Sequence, residues 1–148
     1  MPVAEPVSYE TLLHEEVARY YADPYGFVLA MYPWQEQGML EHHPGPDTWQ
    51  AAFLTKLGEE VSSRGFDGTA SVMAVREAVS SGHGIGKSVM VAWLVDWLMS
   101  TRKNAQGTVT ATTNDQLENR TWAAIRYWTG LCATAGWFEI NSAVMYRK

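Results

Sequence analysis

The sequence predicts an α/β domain built on a parallel sheet and preceded by a helical segment. Three observations carry that expectation. An imperfectly alternating run, 72–79, leads directly into a glycine-rich loop; a helix that is apolar almost all round follows the loop; and a run rich in β-branched residues, 107–113, opens onto a further helix. Strand, loop, helix, strand, helix is how a parallel-sheet domain begins, because parallel neighbours need a crossover between them.

Taken in order, Ser8 is placed to cap a first helix with Tyr9, Leu12, Leu13, Val17 and Tyr20 at helical spacing. Asp23-Pro24 stops it. The apolar stretch 27–32, closed by Pro33, is open between a short strand and a buried turn of helix. A loop follows from Gly38 to Pro46, and its His42-His43 pair, without further ligands, reads as loop rather than metal site. Asp47 and Gln50 form a cap-like pair opening a helix with Trp49, Phe53, Leu54, Leu57 and Val61 on one side, which Gly58 weakens. Residues 62–71 are a polar connector, so the helical segment is placed at 1–62 and the sheet domain at 63–148. Within the latter, Lys87 to Met99 forms a helix whose only charge past the opening lysine is Asp96. Thr113 and Gln116 make a capping box for a last helix running to about Trp128.

Composition sets limits. A chain of 148 residues with 47% apolar and 18% charged residues can bury a core of its own. The net charge of −5 argues against a free-standing nucleic-acid binder, since the basic residues are scattered and only Arg102-Lys103 and Arg147-Lys148 are adjacent. Cys132 is alone, which excludes a disulfide framework and fits a reduced, cytoplasmic compartment. The N-terminus lacks a signal-peptide pattern, and the longest apolar run, Val89 to Val95, is too short to span a bilayer. A soluble cytoplasmic protein without a membrane partner is expected.

The chemistry is concentrated in Ser81-Gly82-His83-Gly84-Ile85-Gly86-Lys87-Ser88. It follows the phosphate-binding pattern G-x-x-x-x-G-K-[ST], except that Ser81 stands where the first glycine belongs. Successive backbone N–H groups must turn inward around a phosphate, and glycines permit the dihedral angles this needs. The helix that follows adds the positive end of its dipole. On this pattern Lys87 reaches the β- and γ-phosphates of ATP and the Ser88 hydroxyl holds Mg²⁺. His83 is either a solvent-facing loop residue or a group close to the γ-phosphate.

Three blocks together resemble the ATPase domain of phage and prophage terminase large subunits. They are Asp23 to Trp34 with Gly45 to Gln50, the loop in its Ser-Gly-His-Gly-Ile-Gly-Lys-Ser form, and Thr110 to Asn119 continuing to Trp122 and Ile125. The resemblance implies a partial P-loop NTPase domain, the ATP-binding front part of a motor that packages double-stranded DNA through a portal with a small terminase subunit. It implies that Gln50, after Trp49, reads the adenine edge, a task suited to a carboxamide that donates and accepts at once; the alternative is that Gln50 only caps its helix. One departure matters. The family's acid pair at the end of an apolar strand has no counterpart: Glu139 follows only Trp137-Phe138, and Asp96 lies inside the loop's helix. A front fragment or prophage relic, binding nucleotide without its own turnover, is therefore expected. The rivals are another P-loop enzyme, such as a helicase or small kinase, and a non-catalytic interaction protein that keeps the loop as scaffold.

Overall fold

Ser8 opens the first helix as its position predicts, its hydroxyl accepting the Thr11 N–H at 3.2 Å, and α1 spans Tyr9–Ala18. Of the expected apolar face only Leu13 and Val17 are buried, while Tyr9 and Leu12 stay exposed. The helix already ends at Ala18, and Asp23, expected to stop it, opens the next element instead. Its carboxylate accepts the Gly26 N–H at 2.9 Å and Pro24 takes the first turn, so a second helix, α2 (Pro24–Met31), starts there. The apolar stretch 27–32 is thus mainly helical, with Phe27 and Val28 fully buried.

A computed structural model of the chain describes residues 1, 3–67, 69–82, 84 and 86–148. After the 38–46 loop, α3 (Thr48–Arg64) begins with the expected capping box between Asp47 and Gln50 and ends on Gly65 in the left-handed region at φ 62°. Gly58 has a packing role within it: a β-carbon there would come within 2.9 Å of the Ala22 carbonyl oxygen and 3.2 Å of Pro24 Cδ. α4 (Lys87–Thr101) follows the glycine-rich loop. Thr113 caps α5 (Asn114–Gln116) by accepting the Gln116 N–H at 3.2 Å. The helix then widens into a π-helical stretch, Leu117–Trp122, before resuming as α6 (Ala123–Leu131). A 3₁₀ turn, Ala135–Trp137, leads into an antiparallel hairpin that the sequence reading missed, β1 (Phe138–Asn141) and β2 (Val144–Arg147). Phe138 pairs with Arg147 and Asn141 with Val144, and Ser142 takes φ 50° at the turn.

The parallel sheet expected over 72–79 and 107–113 is overturned. Among the described residues the chain is mostly helical, and its sheet is the two-stranded β1–β2 hairpin. β-branched residues favour extended backbone, but a strand exists only where a neighbour completes its ladder. Residues 71–82 and 105–111 take part in no backbone–backbone hydrogen bond among the described residues. Side chains tie the first segment to α3 instead: Arg64 Nε donates to the Met73 carbonyl at 3.2 Å, and Lys56 pairs with Glu77 at 3.1 Å.

The core draws on α1, α2, α3, α4 and β1 together, with Leu13, Val17, Phe27, Val28, Leu54, Met90, Trp93, Trp97 and Phe138 buried in one cluster. α4 lies at its centre, packed against α6 and α2. Tyr32, Trp34, Trp93 and Trp128 meet through mostly edge-on ring contacts with centroids 5.3–6.4 Å apart. No described helix is long and apolar enough to cross a membrane.

Candidate nucleotide-binding site

The loop of residues 81–88 sits at the start of a fifteen-residue helix, but the strand that its pattern also expects before it, over 72–79, is absent among the described residues. Gly84 and Gly86 adopt φ 77° and 87°, left-handed values that a side chain would strain. Lys87 folds back so that its Nζ donates to the Ser81 carbonyl at 3.0 Å, closing the two ends of the loop on each other. Ser81, Gly82 and Gly84 are exposed, whereas Gly86, Lys87 and Ser88 are half-buried where α4 enters the core. His83 and Ile85, also expected in the cradle, lie outside the described residues.

Gln50 comes to this loop from far away in the sequence. Its Nε2 donates to the Gly86 carbonyl at 3.2 Å while its Oε1 accepts the Asp47 N–H at 2.9 Å. The side chain is only 5% exposed, so both ends of the carboxamide are engaged inside the protein. It therefore serves as a tie between the start of α3 and the last glycine of the loop. To read an adenine edge it would first have to release one of these partners. Gly86 is also fixed by proximity, since a β-carbon there would fall 2.6 Å from Gln50 Nε2.

The donor set suits a phosphate better than a bare metal ion. Lys87 is a cation whose hydrogen bond goes to a carbonyl rather than to a carboxylate, and the helix N-terminus adds partial positive charge. No group of three or more His, Cys, Asp or Glu among the described residues is arranged to hold a metal. Ser88, half-buried in the first turn of α4, could supply one oxygen ligand to a metal ion that came with a phosphate.

The acids are placed elsewhere. Glu139 on β1 is exposed, and its carboxylate accepts from Asn141 Nδ2 at 3.3 Å. Asp96 lies nine residues beyond Lys87, roughly 13 Å along the α4 axis. There it is fully buried, accepting the hydroxyls of Tyr32 and Thr129, each at 2.6 Å. Burial raises its pKa to about 7, and the two hydroxyl donors pull it down less. Burial likewise raises Tyr32 well above its usual value and pushes the Cys132 thiol up to about 12. Sequence reasoning passed over this cluster; a single charge in an otherwise apolar helix was the available signal. Of the candidate arginines, Arg126 binds the Ser142 carbonyl and Arg120 is exposed.

Comparison with protein-family models, with curated proteins and with solved structures returned no match.

Proposed function

We propose that residues 81–88 bind the phosphates of Mg-ATP, and that the chain serves as the nucleotide-binding front part of a DNA-packaging ATPase similar to terminase large subunits. The observation that carries the binding is the closed loop itself: left-handed glycines, Lys87 turned inward, and an α-helix beginning at Lys87. Lys87 would exchange the Ser81 carbonyl for β- and γ-phosphate oxygens, and the loop N–H groups would take the remaining oxygens. Turnover asks for more than this, because an in-line water and charge stabilisation at the leaving phosphate need an acid and an arginine placed beside the loop. Asp96 and Arg126 are both engaged elsewhere. The proposal is accordingly one of nucleotide binding, in a motor whose portal, small subunit and duplex DNA would be its partners.

The absence of a parallel sheet among the described residues favours a second reading, an interaction protein that keeps the loop as scaffold. Thermal melts separate the two. At a hundredfold excess over its dissociation constant, Mg-ATP should stabilise the native chain by about 2.7 kcal/mol. Lys87→Ala should lose most of that gain while melting normally without nucleotide. Equal shifts in both proteins, or none in either, would favour the scaffold.

A further inference from the structure

The two adjacent basic pairs of the sequence are remote from each other along the chain, yet the fold brings them together. Arg102 and Lys103, where the chain leaves α4, and Arg147 and Lys148, at the end of β2, line one cavity of about 700 Å³ with His14 and Ser100. The Lys148 N–H donates to the Trp137 carbonyl at 2.9 Å, which holds the second pair in place.

Both arginines are fixed by aromatic rings. The Arg102 guanidinium lies 4.0 Å from the Tyr21 ring centre and 4.3 Å from that of Trp97, while one of its nitrogens donates to Thr101 Oγ1 at 2.6 Å. Arg147 lies 4.7 Å from the Trp137 ring, an indole on which His14 also stacks, with centroids 4.2 Å apart. Ring faces hold a guanidinium without neutralising it. The ion pairs among the described residues are Arg19–Glu16, Lys56–Glu77 and Arg64–Glu60, and none takes a cation from this cavity. Carboxylates do approach its walls, Glu10 by accepting the Trp137 indole N–H and Glu139 through Tyr146, but neither pairs with an arginine or lysine here.

Two planar guanidinium forks on aromatic rings and two exposed lysines are gathered in one concavity of a chain with net charge −5, a donor set suited to an anion. The C-terminal end of α4 works against this with about half a negative charge. The four side-chain cations outweigh it, also with a carboxylate on Lys148 counted. Less side-chain entropy remains to be lost at Arg102, half-buried between two rings, than at Arg147, which is exposed and rests on one.

We propose that this cavity binds a phosphate-bearing anion, with Arg102 and Arg147 as fixed forks on the phosphate oxygens and Lys103 and Lys148 as outer charges. It is separate from the loop of residues 81–88, because the two lie at opposite ends of fifteen-residue α4, roughly 22 Å apart. The phosphate could belong to a nucleic-acid backbone or to a free polyphosphate, and the test distinguishes them.

Titration of the full chain with a short labelled DNA duplex, followed by anisotropy, examines the first source. Inorganic tripolyphosphate, followed by tryptophan emission, examines the second. The expected result is binding of at least one probe that weakens tenfold or more in the Lys103→Ala/Lys148→Ala double variant and persists in Lys87→Ala. For the duplex, the slope of log affinity against log salt should also fall by about two, one unit for each lost phosphate contact. Preference for the duplex assigns the nucleic-acid backbone; binding of tripolyphosphate alone assigns a free polyphosphate. Both removed lysines are exposed, so the variant should melt like the parent. Binding of neither probe, binding unchanged in the double variant, or binding lost in Lys87→Ala overturns the proposal.

Discussion

A carboxyl group with no solvent exposure is pushed toward its neutral form, and at Asp96 burial outweighs the two hydroxyls that donate to it and favour the charged form. Its pKa in the fold is about 7 against 3.8 as the ordinary value, with burial the dominant cause. The folded state therefore binds the proton more tightly than the unfolded chain. Asp96 contributes its full stability below about pH 4 and loses it as pH rises from about 4 to about 7, by something on the order of 4 kcal/mol. Asp96→Asn imitates the neutral carboxyl and should flatten that part of the stability curve relative to the parent, as urea melts at several pH values would show. A parallel fall of both proteins with pH would mean that Asp96 does not set the slope. Little of this was legible beforehand. The sequence places Asp96 in an apolar helix, but its hydroxyl partners come from Tyr32 and Thr129, distant positions that no local pattern connects.

At the scale of elements, local chemistry read well where it was self-contained. Ser8, the Asp47–Gln50 box and Thr113 all cap the helices they were expected to cap, because each cap needs only neighbours a few residues away. The runs at 72–79 and 107–113 misled because a strand needs a partner, and β-branched composition says nothing about whether one is present. The β1–β2 hairpin carries little local signal, since its strands are four residues each and its Ser142-Ala143 turn lacks the Asn-Gly or Asp-Gly that marks a hairpin. Gly58 shows the limit of propensity arguments from the other side. In an isolated helix Gly→Ala gains up to about 1 kcal/mol. Here the added carbon would meet the backbone carbonyl of Ala22 at 2.9 Å, so Gly58→Ala should instead destabilise, by roughly 1–3 kcal/mol of overpacking. Denaturant melts decide, and a more stable variant would show that α2 and α3 can slide apart cheaply.

Across the whole molecule the same unpaired segments border an apolar groove of about 1020 Å³. Val72, Met73, Val75, Val95, Leu98 and Val109 are among its walls. Met73 is 72% exposed and Leu98 41%, an unusual amount of large apolar surface in one place. Open backbone donors and acceptors beside it invite association. The isolated chain should self-associate in the micromolar to millimolar range and bind hydrophobic dyes, and Met73→Lys with Leu98→Lys should reduce both. Sedimentation that stays monomeric across that range would show the groove to be harmless.

The tie from Gln50 to Gly86 makes the two ends of a thermodynamic cycle out of places thirty-six residues apart. Whatever free energy a bound nucleotide lends to the loop conformation is shared with the first turn of α3, and linkage requires the reverse to hold by the same factor. Nucleotide should then slow amide exchange at the start of α3, around Ala51, although no ligand touches it. Gln50→Ala should abolish that remote protection and weaken ATP and GTP alike. A loss confined to ATP would instead mean that the carboxamide swings out to meet the base, and that α3 is a bystander.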